Sequence, residues 1–237
     1  MASLQILDVG YVIHSRRYKE NSLLVDFFTL NHGRISAVAR SVKSLKSKSK
    51  ALLQPYTPLE LTLKPSRGTL FTLNECNAKS KGKDIKLPNI FCASYLNELL
   101  YYLFNIQDSC PKLFATYIES LEHITQNDNV AKTLRIFEFT LLETLGYGID
   151  FSDNEGFEIQ DDLYYVYTQS DGFCKCNYNE FAYRGSLLNA IARYDLSDIS
   201  SLNLAKELCN KALKVLLANK TIKSKILYQD YLKILGN

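Results

Sequence analysis

The apolar positions of the first eighty residues fall into short runs rich in Val, Ile, Leu, Phe and Thr, separated by polar and turn residues. Gln5–Ile13, Ser22–Thr29, Arg34–Arg40, Pro58–Lys64 and Thr69–Glu75 have the length and composition of strands. Asn31-His32-Gly33 predicts a hairpin turn with Gly33 at positive φ, and Ser66-Arg67-Gly68 after Pro65 predicts a second. Five strands in this span, with a longer connection after the third, match an OB-fold barrel, although an SH3-like barrel gives a similar pattern. Phe27 and Phe28 are neighbours in one strand, so they point to opposite faces, and one of them belongs to the core.

From Pro88 the period changes to that of helices. Cys92, Leu96, Leu99 and Leu103, with Leu100 and Phe104, trace one core-facing stripe. Ser109-Cys110-Pro111 predicts a new start with Ser109 as cap, its face carrying Leu113, Tyr117, Ile118 and Leu121. A third helix over about 130–145 presents Leu134, Phe137, Leu141 and Leu145 and ends at Gly146. Leu163–Gln169 and Phe173–Cys176 around Ser170-Asp171-Gly172 form a small hairpin. Helices follow near Ser186–Tyr194 and from about Ser200 to Ala218, the latter with Ala205, Leu208, Ala212 and Leu216 as its apolar face. Ile222–Leu235 packs as a last helix. The pattern is α+β: residues 1–80 form a barrel, and 81–237 a helical bundle with a hairpin insertion around 150–182.

Charge sharpens this division. Residues 1–84 hold 14 Lys+Arg against 6 Asp+Glu, net +8, whereas 85–237 are net −5. The polyanion-binding surface is therefore expected on the barrel. Arg34, Arg40, Lys43, Lys46, Lys48 and Lys50 stand with no acid among them, a stretch able to follow a sugar-phosphate backbone without reading bases. Arg16, Arg17 and Lys19 fall in the first connection, where an OB-fold carries a ligand-contacting loop. Solubility alone would equally explain these lysines. Tyr11, Tyr18, Phe27, Phe28, Tyr56 and Phe71 are candidate stacking platforms, though packing is the ordinary use of such residues; Tyr18, in a basic loop, is the best placed.

Catalytic constellations are weak, and a cysteine–histidine hydrolase would need one of the histidines beside a cysteine in the fold. The three histidines, His14, His32 and His123, form no HxxxH pair, and no Walker A loop, GxSxG elbow or Gly-rich dinucleotide turn occurs. His32 fits a turn, and His14 a surface position at a strand end. Cys174 and Cys176 form a lone CxC with the other four cysteines far away, so no metal and no cofactor is expected. Disulfides are not expected in a cytosolic chain. No apolar run is long enough for a membrane span, and the first twenty residues are no signal peptide.

The ordered set of segments resembles the RecO DNA-repair family. It comprises Val12-Ile13-His14-Ser15-Arg16 with Tyr18 and Glu20, Gly33-Arg34 leading to Ala39-Arg40, and Leu53-Gln54-Pro55-Tyr56-Thr57-Pro58. Tyr95-Leu96-Asn97-Glu98-Leu99-Leu100 and Arg135 with Phe137-Glu138 follow, then Leu145-Gly146-Tyr147-Gly148, with a weaker Lys223-Ser224-Lys225. The resemblance implies an N-terminal OB-fold, a helical domain and a non-enzymatic mediator in the cytoplasm at the nucleoid. It also implies binding of single- and double-stranded DNA, strand annealing, and action with RecR to load RecA on strands coated by the single-stranded DNA-binding protein SSB. DNA contacts implied by match are Arg16, Arg34, Arg40 and the lysines of 43–50, and Arg135, with Lys132 beside it, would meet the acidic SSB tail. A bidentate contact explains Arg at such a site, while an ion pair of Arg135 with Glu138 or Glu98 is the plain structural alternative. Many relatives carry a four-cysteine zinc site after the Leu-Gly-Tyr segment; here Phe151–Asp162 contains no cysteine. The hairpin is therefore expected to rest on packing of Tyr164, Tyr165, Tyr167 and Phe173. The alternative function is a general RNA- or ribosome-associated OB-fold protein.

Overall fold

The computed structural model describes residues 5–40, 52–66, 68–104 and 108–236. It has two compact units, Met1–Asp128 with Lys220–Asn237, and Asn129–Asn219. The boundary expected at residue 80 falls inside the first unit.

The first unit begins with β1 (Ile6–Tyr18), β2 (Ser22–Thr29), β3 (Gly33–Ala39), β4 (Leu59–Pro65) and β5 (Leu70–Ala78). They close into a barrel in the order β1-β2-β3-β5-β4. The β3–β5 pairing is parallel and the others antiparallel, which is the OB-fold arrangement and sets aside the SH3-like alternative. Alternation builds the interior: Val12, Val25, Phe27, Ile35, Ala37, Leu59, Leu61 and Leu63 point inward. Phe28 is as buried as Phe27, on the opposite face. Its ring meets Phe104, Phe114 and Tyr117 edge-on or tilted, with centroids 5.3–5.7 Å away. Both neighbours are thus core, because the barrel wall separates two cores where the sequence suggested one.

β1 is longer than its apolar run. The ladder to β2 continues through Arg16↔Leu24, Arg17↔Leu23 and Tyr18↔Ser22 after an irregularity between Val12 and His14. The β2–β3 hairpin turns at Gly33, whose φ of +61° excludes most side chains. A Cβ there would also stand 2.1 Å from the Asp108 carbonyl oxygen. Asp8 fastens this end of the barrel: its carboxylate accepts from the backbone and side chain of Asn31 and lies 2.6 Å from His32 Nδ1. His32 is the expected turn residue. His14 is not at a strand end; it lies within β1, half-buried, stacked 4.2 Å from the Tyr101 ring and 3.5 Å from Asp26.

α1 (Asn89–Leu103) and α2 (Pro111–Gln126) pack on the outer aromatic face of the barrel, with the Tyr117 hydroxyl donating to Asn97 Oδ1 at 2.7 Å. Pro111 opens α2 as expected, but the cap position is Cys110. Ser109 donates to the Leu30 carbonyl instead, 3.3 Å away. Ile118 is 37% exposed, and Phe114, Ser120 and Ile124 complete the buried face.

The second unit contains α3 (Val130–Thr144), then β6 (Tyr164–Thr168), β7 (Gly172–Cys176) and β8 (Tyr183–Arg184) in a sheet ordered β7-β6-β8. The two-residue β8 has no sequence signal of its own. α4 (Gly185–Ala192) and α5 (Ile199–Leu217) follow. Asp198 caps α5 by accepting from Ser200 and Ser201 N–H groups at 2.9 and 3.1 Å. Leu204, Cys209 and Leu213 join Ala205, Leu208 and Ala212 in the core, while Leu216 is only half-buried. Tyr165 and Phe173 are fully buried, and Phe173 touches the Phe151 and Tyr167 rings. α6 (Lys223–Leu235) returns to the first unit and lies along α1.

Candidate nucleic-acid interface

Strand register gathers five of the expected contact residues at one end of the barrel. Tyr18 pairs with Ser22, and the next residue, Leu23, pairs with Ala39, so Arg40 leaves β3 beside the β1–β2 turn. Tyr18 and Arg40 therefore flank β2 from either side, about 10 Å apart at the usual strand spacing. Arg16, Arg17, Lys19 and Arg40 are exposed. Arg16, Arg17 and Tyr18 belong to the strand, and only Lys19 lies in the turn, at φ 55°. The expectation of a basic loop is corrected here: a ladder with β2 holds these side chains at fixed spacing along the protruding hairpin. Tyr18 is half-buried, with Lys19 Nζ 5.6 Å from its ring centre. Lys43, Lys46, Lys48 and Lys50 lie outside the described residues, as does Arg67 of the predicted second hairpin.

Arg34 stands apart. It occupies the far end of β3, where its guanidinium donates to the Tyr101 carbonyl and sits 5.5 Å over that ring. There it joins α1 to the barrel wall. Among the aromatic candidates, Tyr11, Phe27, Phe28, Tyr56 and Phe71 are all at most 8% exposed and serve packing. Tyr18 alone of the six is available to a ligand.

In the second unit Arg135 is 7% exposed and its Nη2 lies 2.8 Å from Glu138 Oε1, so the pairing with Glu138 is the one realised. The Arg135 Nε donor has no partner. Lys132, one turn earlier, is half-buried, and its charge contributes, after hydrogen bonds from Ser197, to holding the Asp195 carboxyl below its ordinary range. Burial pushes the neighbouring Cys209 thiol far up, helped by the Glu138 charge.

Cys174 and Cys176 share one face of β7, separated by Lys175, which turns to Asp153 at 2.9 Å. Among the described residues no group of three or more His, Cys, Asp or Glu stands where it could hold a metal ion. No helix among the described residues is long and apolar enough to cross a membrane.

Three exposed lysines belong to no sequence expectation of DNA contact: Lys220, Lys223 and Lys225, at the entry to α6. Their only signal is a spacing of three and two residues in an apolar tail.

The family model described as Recombination protein O N terminal matches residues 1–81, and that described as Recombination protein O C terminal matches 86–218. The chain belongs to the RecO family. DNA repair protein RecO of Actinobacillus pleuropneumoniae serotype 3 is 35% identical over 227 residues, covering 94% of both chains. DNA repair protein RecO of Haemophilus influenzae is 34% identical over 232 residues, covering 97% of this chain and 98% of its own. That of Methylococcus capsulatus is 35% identical over 229 residues, covering 95% and 93%. Membership in the RecO family supports a role in DNA repair.

Proposed function

We propose that the protein binds single- and double-stranded DNA through the basic end of its barrel, anneals complementary strands, and acts with RecR to load RecA onto SSB-coated single strands. The observation that carries this reading is the convergence of Arg16, Arg17, Tyr18, Lys19 and Arg40 at one end of a closed OB-fold barrel. The lysines of 43–50 follow Arg40 in sequence and add to the positive charge of this part of the chain. Such cations gain affinity by releasing condensed counterions from phosphates, a gain that does not depend on sequence. Tyr18 adds a ring on which any base can stack. Annealing requires no catalytic centre, because neutralising two strands removes their mutual repulsion and raises their local concentration. Docking of the acidic SSB tail at Arg135 and Lys132 is part of the proposal. What supports it is the Arg135 Nε, buried and left without a partner beside the Nη2 that Glu138 holds. The protein works in the cytoplasm, at the nucleoid.

The test is annealing of complementary oligonucleotides coated with the cognate SSB, with RecR present. Deleting the barrel would strip the aromatic face of α1 and α2, so the comparison uses Arg16→Glu, Arg17→Glu, Lys19→Glu and Arg40→Glu together in the full chain. Loss of annealing in a folded variant supports the reading. Annealing at the unmodified rate, or a preference for structured RNA over single-stranded DNA at equal salt, would sink it.

A further inference from the structure

Residues 220–225 run antiparallel to one stripe of α1. Lys225 Nζ lies 4.9 Å over the Tyr95 ring, the N–H groups of Lys223 and Ser224 donate to Glu98 at 3.1 and 3.0 Å, and Lys220 Nζ lies 5.9 Å over the Tyr102 ring. Tyr95, Glu98 and Tyr102 follow the i, i+3, i+7 spacing of a single helix face, so the strip is about 10 Å long at 1.5 Å per residue. Tyr101 prolongs it, its ring 5.2 Å from that of Tyr102 and capped by Arg34.

Glu98 is the one acid in this strip, and it is engaged. It accepts two backbone donors and the Ser224 hydroxyl at the N-terminus of α6, where a carboxylate also meets the positive end of the helix dipole. Among the described residues the ammonium groups of Lys220 and Lys223 face no carboxylate at ion-pair distance. What remains outward is a row of cations over the buried ring of Tyr95 and the half-buried ring of Tyr102. That combination suits a single strand: phosphates take the ammonium groups, and a base takes the Tyr102 ring that Lys220 releases.

We infer that this strip is a second surface for single-stranded nucleic acid, separate from the barrel end, so that one molecule holds two strands at once. The separation follows from β3 itself: Arg34, at the strip, and Arg40, at the barrel end, are six residues apart, about 20 Å along an extended strand. The inference rests on the annealing reading above and supplies the second strand that annealing needs.

The experiment uses two dT oligonucleotides of about ten nucleotides, within the range one OB-fold covers. One carries a donor dye and the other an acceptor, and both are mixed with limiting full-length protein, its monomeric state checked by sedimentation. Two oligonucleotides per chain and energy transfer between them are expected. Lys220→Glu, Lys223→Glu and Lys225→Glu together should abolish the transfer and leave one oligonucleotide bound. They should also flatten the total salt dependence by about two log units per log unit, at roughly 0.7 per phosphate contact. The corresponding Gln variants, gentler on folding, should weaken the second binding in the same direction. Saturation of the unmodified protein at one oligonucleotide per chain, or co-binding that survives the triple Glu change, overturns the inference and leaves the barrel reading standing. Absence of any binding would bring down the proposed function itself.

Discussion

The two ends of β3 each present an arginine, and the structure uses them in opposite ways. Arg34 is tied to the Tyr101 carbonyl and ring, in the neighbourhood of a closed hairpin where Asp8 fastens Asn31 and His32. Arg40 is exposed beside a protruding hairpin tip with Arg16, Arg17 and Lys19 around it. The two residues are equivalent in a charge count. They differ in whether the guanidinium already has a partner, and only an unengaged cation adds to ligand affinity. A local basic surplus therefore overstates a binding surface by whatever share of it holds the fold together.

The largest effect expected lies at the tied end. Phe28→Ala removes a fully buried ring between barrel and helices and should cost about 3–5 kcal/mol in urea unfolding. Its effect on the salt dependence of DNA binding should be nil in the remaining folded protein. Next comes the quadruple Glu change at Arg16, Arg17, Lys19 and Arg40. It should flatten that salt dependence by about three log units per log unit, at roughly 0.7 per contact, with little change in the urea midpoint. Arg34→Ala should do the reverse, costing about 2 kcal/mol of stability through a lost charged hydrogen bond and leaving the slope alone. A flattened slope for Arg34→Ala with unchanged stability would erase the contrast between the two ends.

The smallest effect extends the comparison to the second unit, where Lys175 is engaged by Asp153. This ion pair, with the Phe157 and Glu155 N–H groups, lowers the Asp153 pKa from 3.8. A lowered carboxyl pKa stabilises the fold at pH above that of the unfolded chain. The contribution is lost as pH falls from about 4 through the lowered value, because the unfolded state binds the proton first. Asp153→Asn should accordingly flatten the acid limb of the stability curve and leave the slope near neutrality unchanged. An unaltered acid limb would show that the pair does not outlast solvent screening of its half-exposed lysine.

Strand alternation and helix periodicity made the element order legible, including the turn at Gly33 and the start at Pro111. What stayed hidden depended on partners distant in sequence. Arg16 and Arg17 look like loop residues because hydrophilic positions rarely announce a strand, yet cross-strand pairing with Leu23 and Leu24 extends β1 through them. β8 exists only as a pairing with β6. Phe28 belongs to a core that no period-two pattern reveals, since the strand is covered on both faces. The distinction between Arg34 and Arg40 needed Tyr101, sixty-seven residues from Arg34 along the chain. The lysines along α1 needed a segment more than a hundred residues further on.

That last distance has a consequence for the timing of synthesis. The unit that begins the chain is finished only by Lys220–Asn237, after all of Asn129–Asn219 has been made. At roughly 5–20 residues per second, the side of α1 that carries Tyr95, Glu98 and Tyr102 stays uncovered for about 6–23 s on the ribosome. A nascent chain stopped in that interval would display a barrel without its last helix, with Glu98 lacking the donors that engage it. Completion of the N-terminal unit thus waits until translation has run through residue 220, so its assembly is post-translational in its last step.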